Sequence, residues 1–203
     1  MQRRVGVLGG TFDPIHNAHL LCARQAFDAL GLDGVLFLPA ATPVFKKDQN
    51  VTAPDMRREM CALALEGMPE FSLCTLELER EGDTYTVDTL EQLTSANPDT
   101  TYYFIVGMDA FLTLPQWKDA KRLSKLAEFV CVTRPGFSLD VDMLNSIEAY
   151  GFRFQILEVD GYDISSTDIR RRVAQGKSIA NMVPEAVCDY IAEKKLYALS
   201  QDV

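Results

Sequence analysis

What most constrains the fold is the alternation of short apolar runs with stretches of helical period. Segments 5–8, 35–38, 71–78, 102–106, 129–133 and 152–159, rich in Val, Ile, Leu, Phe and Tyr, read as strands. Between them, Leu20, Ala23, Phe27 and Leu30 trace one helical face, and 55–66, 87–94 and 118–127 read as further helices. Near the end, Val187, Tyr190 and Ile191 line a helix that opens at Pro184. Strands alternating with helices predict an α/β architecture, a parallel sheet covered on both faces. Ligands on such sheets bind at the carboxyl ends of the strands, so the loops after strands are where function is sought. The length of 203 residues fits one domain, with the last 40 or so residues as a helical appendage.

Composition narrows the partners. Twenty Lys and Arg against 29 Asp and Glu leave a formal net charge of −9, which argues against nucleic acid and for small-molecule partners. The first ten residues hold two arginines but no apolar stretch of signal-peptide length, and no run approaches a bilayer span, so no membrane partner is expected. Five cysteines in apolar surroundings, with no Cys-x-x-Cys pair, read as free thiols of a reducing cytoplasm. Oligomeric state stays open, a homo-oligomer included.

The first post-strand loop carries the strongest chemical signal. It reads Gly9-Gly10-Thr11-Phe12-Asp13-Pro14-Ile15-His16-Asn17-Ala18-His19 and runs from the first strand into the first helix. Gly9 and Gly10 let backbone approach a ligand or adopt positive φ. Asn17 is a candidate helix cap, which puts His19 in a first turn whose N–H groups and dipole favour anions. The spacing is not the G-x-G-x-x-G of a dinucleotide fold. Gly176-Lys177-Ser178, a P-loop mimic, follows a helix and has Arg171 where the first glycine belongs. The only two histidines of the chain stand in this loop, three residues apart. Cys22 continues their spacing, so a metal site is a rival reading, with a buried thiol as the plain one.

Other positions allow two readings each. Ser165-x-x-Asp168 is a capping-box-like start to a helix, or, with Ser166, Thr167 and Arg170, a second phosphate-binding helix N-terminus; Arg171 and Arg172 face solvent or pair with acids. Lys46 is a surface lysine or a phosphate contact. Asp109, in Gly107-Met108-Asp109 after a strand, caps a helix or accepts from ribose hydroxyls. Trp117, the only tryptophan, is core or a stacking platform.

Residues 9–19 resemble the signature of the adenylyltransferase and cytidylyltransferase superfamily (His or Thr, any residue, Gly, His), with Ala18 where that signature has glycine. Five further segments resemble the nicotinate-nucleotide adenylyltransferase family in order and spacing across nearly the whole chain. They are Pro39 to Lys46 (with Phe45 where that family often has histidine), Asp83-Thr84-Tyr85-Thr86-Val87-Asp88-Thr89-Leu90, Gly107-Met108-Asp109 with Trp117, Thr133-Arg134-Pro135-Gly136, and Ile164 to Arg170. The resemblance implies a Rossmann-like fold with a small C-terminal helical part from about residue 164, in a single nucleotidyltransferase domain spanning 1–203. It implies transfer of AMP from ATP, with Mg²⁺, to nicotinate mononucleotide, releasing pyrophosphate and giving deamido-NAD. It further implies His16, His19, Lys46 and Arg170 as the catalytic set. Gly9, Gly10, Thr11, Phe12, Gly107, Asp109, Thr133, Arg134, Ser165, Ser166 and Thr167 would bind ATP. Tyr85, Thr86, Trp117 and Lys118 would bind the mononucleotide, with Trp117 stacking on the pyridine ring and backbone N–H groups near Thr86 and Lys118 holding its carboxylate. A pantetheine-phosphate adenylyltransferase and a non-catalytic nucleotide-binding regulator remain as alternatives.

Overall fold

The computed structural model describes residues 2–41, 51–80, 82–134, 136, 141–161 and 163–198. Strands β1 (Arg3–Gly10), β2 (Gly34–Pro39), β3 (Phe71–Leu73), β4 (Thr100–Gly107), β5 (Glu128–Thr133) and β6 (Phe154–Glu158) form one sheet in the order β3-β2-β1-β4-β5-β6. Every neighbouring pair is parallel, from Val5 opposite Gly34 in β2 to Phe129 opposite Phe154 in β6. The strand order reverses at β1 and β4, and their carboxyl ends therefore open a crevice.

The strands are apolar because both faces are covered, and the period of two sorts their side chains. Tyr103, Ile105, Val130 and Val132 face one core, closed by α1 (Asn17–Leu30), α2 (Pro54–Leu65), α7 (Ser166–Ala174) and α8 (Glu185–Glu193). Val5, Val7, Phe104, Phe129 and Cys131 face the other, closed by α3 (Thr86–Ala96), α4 (Met108–Phe111), α5 (Ala120–Leu123) and α6 (Val141–Ala149). The C-terminal helices α7 and α8 thus contribute Ile169, Val187 and Ile191 to the main core rather than hanging from it.

Three expected elements come out shorter. The 71–78 strand stops at Leu73, although the Cys74 N–H still reaches the Phe37 carbonyl at 2.8 Å. The next ladder bond would need an N–H from Pro39, which has none. The chain turns instead over Thr75–Arg80 and carries Glu77 inward. The 118–127 helix is regular only over Ala120–Leu123, and the 152–159 strand only over Phe154–Glu158, at the exposed sheet edge.

Candidate active site

The histidine loop leaves β1 at the crevice and is stiffened from within. Phe12 takes φ of +49° and buries its ring, which meets the His19 imidazole edge-on with centroids 5.0 Å apart. That ring explains Gly10: a Cβ there would lie 2.9 Å from it. In this loop positive φ falls on Phe12, and neither Gly9 nor Gly10 adopts one, which leaves the close-approach reading of the two glycines. Asn17 is likewise not the cap. It is the first helical residue, and His16 with extended backbone holds the N-cap position of α1.

The two imidazoles stack, with centroids 3.6 Å apart and planes 17° from parallel. The His16 backbone N–H donates to His19 Nδ1 at 3.2 Å. A ring nitrogen that accepts carries no proton, so this bond assigns the His19 proton to Nε2 and makes that atom the donor. His16 is 5% exposed, and its Nδ1 is the one buried side-chain polar atom without a hydrogen-bond partner among the described residues. Burial holds the His16 imidazole down at about 4, with its own backbone opposing the shift. His16 is accordingly neutral at physiological pH.

The N-terminus of α7 closes on the same loop. Ser166 Oγ donates to the Pro14 carbonyl at 3.0 Å, and Arg170 Nη1 to the Asp13 carbonyl at 2.7 Å. Ser165 caps α7 by accepting the Asp168 N–H at 3.1 Å, and Thr167 Oγ1 lies 3.4 Å from Arg170 Nη2. The capping and ligand readings of this segment are therefore compatible: the cap builds an N-terminus seated against the histidines. Arg171 pairs with Asp168, and Arg172 donates to the Ser178 carbonyl, which leaves Arg170 as the arginine of the three turned to the loop.

Beside the loop lies a cavity of about 740 Å³, lined by Gly9, Gly10, Thr86, Gly107, Trp117 and Lys118 among others. Trp117 is a half-buried wall, not core: its Nε1 donates to Thr113 Oγ1 at 3.0 Å and its ring meets Phe104 edge-on. Thr86 opens α3, and of the first-turn N–H groups that of Asp88 bonds back to the Tyr85 carbonyl at 3.0 Å. Lys118 Nζ sits 4.0 Å from the Tyr85 ring centroid and 3.1 Å from Asp88 Oδ2, tying α3 to the Trp117 turn. Thr11 and Tyr85 also line the cavity.

The remaining expected positions stand apart from that wall. Asp109 is exposed in the first turn of α4, which Gly107 precedes as N-cap. Thr133 is buried at the carboxyl end of β5, and exposed Arg134 pairs with Asp163 at 3.1 Å. Lys46 lies outside the described residues, as does Phe45. No group of three or more His, Cys, Asp or Glu among the described residues is arranged to hold a metal ion. Burial pushes the Cys22 thiol up to about 12, and Cys22 packs half-buried against the main core.

Several supporting residues escaped the sequence reading. Arg57 is fully buried and donates to four carbonyls, those of Thr11, Ala40, Ala41 and Thr52, at 2.7–2.9 Å. Burial lowers its pKa and the facing Asp13 opposes this. A clue was present: Arg57 shares the i, i+3, i+4, i+7 face of α2 with Met60, Cys61 and Ala64, where only core residues belong. Glu77, in the cavity wall, accepts from Thr89 Oγ1 at 3.0 Å. Burial pushes its carboxyl up, against the Thr89 and Thr84 hydroxyls and the Arg80 charge. Nothing in its spacing announced that role.

A crevice at a sheet reversal, with stacked imidazoles, a second helix N-terminus and an adjoining aromatic-walled cavity, is the arrangement of a nucleotidyltransferase. The cytidylyltransferase-like family model matches residues 7–172, and the chain belongs to that family. Within it the chain belongs with the nicotinate-nucleotide adenylyltransferases. A Bacillus cytotoxicus protein named probable nicotinate-nucleotide adenylyltransferase is 42% identical over 195 residues, covering 96% of this chain and 98% of that one. A Corynebacterium kroppenstedtii protein of the same name is 42% identical over 200 residues, covering 98% and 93%. In fold, the chain matches the Plasmodium falciparum nicotinic acid mononucleotide adenylyltransferase complexed with NaAD. The TM-score is 0.77 at 21% identity, over 96% of this chain and 97% of that one. No helix among the described residues is long and apolar enough to cross a membrane.

Proposed function

We propose that this chain transfers AMP from ATP to nicotinate mononucleotide, forming deamido-NAD and pyrophosphate in NAD biosynthesis. The observation that carries the reading is the shared strand edge. The histidine pair and the α7 N-terminus stand beside a cavity walled by Trp117 and the first turn of α3, so two anionic substrates can meet end to end.

The chemistry asks little of side chains as acids or bases. A phosphate monoester loses its second proton near pH ~6, so the attacking oxygen of the mononucleotide arrives ionised. It attacks the α-phosphorus of ATP. A new P–O bond forms, the α–β bridging bond breaks, and pyrophosphate leaves with the electron pair. The work left to the protein is alignment and charge neutralisation. His19 Nε2–H is the donor to the α-phosphate as charge builds there. The partnerless His16 Nδ1 sits in the same stack, at a helix N-terminus suited to the polyphosphate. Arg170, the N–H groups and hydroxyls at Ser165–Thr167, and Lys46 take the outer phosphates. Gly9, Gly10, Thr11 and Phe12 shape the loop under the nucleotide, while Gly107, Asp109, Thr133 and Arg134 surround the adenosine. Mg²⁺ would enter with the triphosphate, bound chiefly by phosphate oxygens and water, and would supply charge neutralisation there.

In the cavity, Trp117 stacks on the pyridine ring and Tyr85 and Lys118 close one wall. The α3 N–H groups at Thr86 meet the pyridine carboxylate. A carboxylate only accepts, whereas a carboxamide turns an N–H₂ toward those donors, which makes the acid the better substrate. The chain acts as one nucleotidyltransferase domain in the cytoplasm, on small molecules and not on nucleic acid, with α7 and α8 as its helical C-terminal part.

The test is pyrophosphate release with ATP, Mg²⁺ and, separately, nicotinate mononucleotide, its amide and phosphopantetheine. Catalytic efficiency with the acid is expected to exceed that with the amide roughly tenfold or more, the cost of one mispaired buried donor. Equal efficiency with acid and amide would overturn the specificity. An absence of turnover with every acceptor, in a protein that binds ATP, would overturn the reaction.

A further inference from the structure

The C-terminal residues grip the histidine loop at three places. The α7 contacts through Ser166 and Arg170 are the first. The second is Asn17, whose backbone N–H donates to the Met182 carbonyl at 2.9 Å and whose Nδ2 donates to the Asn181 carbonyl at 3.2 Å. The third comes from the far end of the chain. Tyr197 O–H donates to Asp13 Oδ1 at 2.7 Å, over a separation of 184 positions.

Asp13 is where these contacts converge. It is 4% exposed, and its second carboxylate oxygen accepts the Thr52 N–H at 3.2 Å. Its carbonyl is the one that Arg170 holds, and it faces the Arg57 guanidinium. Three residues on stands His16, with Ile15 fully buried between them, so a rotation of Asp13 is transmitted to the imidazole stack. Tyr197 itself takes φ of +62°, a left-handed backbone that a bulky residue adopts at a cost. The hydroxyl is not needed to dock the tail. Val187 and Ile191 of α8 are already buried in the core, and a phenyl ring would keep the packing of Tyr197.

We propose that Tyr197 is a positioning residue for adenylyl transfer: its hydroxyl holds the Asp13 carboxylate so that His16, His19 and Arg170 keep one common geometry. This rests on the reaction proposed above. Tyr197 touches no substrate, and the Thr86, Trp117 and Lys118 walls of the pyridine cavity stand on other elements, with Gly9, Gly10 and Thr11 the part shared with the loop, so its influence falls on kcat rather than on the KM for the mononucleotide.

Having only two histidines gives the test a direct readout, because a ¹⁵N imidazole NMR spectrum contains two spin systems. The experiment compares Y197F with the wild type and with Y150F, a change at an exposed tyrosine. Y197F is expected to lower kcat roughly tenfold, the order of loss when a catalytic loop is displaced by a fraction of an ångström. The KM for nicotinate mononucleotide should stay within about twofold, both histidine signals should move, and Y150F should match the wild type. D13A combined with Y197F should be no slower than D13A alone, because alanine leaves the hydroxyl nothing to hold. A kcat for Y197F within twofold of wild type overturns the proposal, as does a fall in kcat with both histidine signals unmoved. Failure of Y197F to fold also overturns it, since the hydroxyl would then serve the fold and not the loop. If the wild type itself releases no pyrophosphate, the reaction is refuted, while the histidine spectra still report whether the hydroxyl sets the loop.

Discussion

Replacing His16 with glutamine changes how stability responds to acid, by an amount that follows from its burial. The imidazole is 5% exposed with a partnerless Nδ1, and its pKa lies at about 4 instead of 6.5. Because the folded value is the lower one, native His16 stays neutral over a range where the unfolded imidazole takes up a proton. Its contribution is fully present above pH 6.5 and is lost as pH falls from there toward 4. The whole gap corresponds to roughly 3 kcal/mol, of which about 2 kcal/mol is already lost at pH 5. The assay is urea denaturation of wild type and H16Q at pH 7.5 and pH 5. Carboxylates titrate alike in both proteins and cancel in the comparison. Wild type should lose about 2 kcal/mol more than H16Q over that interval, whatever their difference at pH 7.5. Equal losses in the two proteins, or a His16 NMR midpoint above 6, would refute the burial argument.

Two further outcomes follow from the same geometry. His19→Ala removes the proposed Nε2 donor and should lower kcat by ~10²–10³ with the fold retained, so turnover close to wild type in steady-state assays would exclude His19 from the chemistry. Arg57→Met strips four carbonyls of their buried charged donor. It should cost about 3–5 kcal/mol in chemical denaturation, and a loss below about 1 kcal/mol would show that the loop relaxes around the change.

Much of the site was legible because its parts are short and local. The histidine loop and the Ser165–Asp168 cap are runs of a few residues whose chemistry shows in their order, whereas Tyr85 and Thr86 stood out only through the family resemblance. Details decided by packing were not. Asn17 has the better capping side chain, yet the loop arrives so that His16 fills the cap position and stacks on His19. Of the two readings of the glycine pair, positive φ is not the one taken up: it falls on Phe12, whose ring packs over Gly10. The third strand looked longer than it is, because its limit is set by Pro39 in its neighbour and not by its own residues.

From its own order of residues the chain determined the strand–helix alternation, the sheet with two covered faces and the loop in which chemistry concentrates. Periodicity and capping are interactions among neighbours a turn or a pleat apart, and so are written in adjacent letters. Only the tertiary structure decided that Arg57 anchors four carbonyls, that Glu77 enters the cavity wall, and that Arg170 and Tyr197 meet on Asp13 from 157 and 184 positions away. Contacts at that separation depend on how the two cores close around the sheet, and no local pattern encodes them.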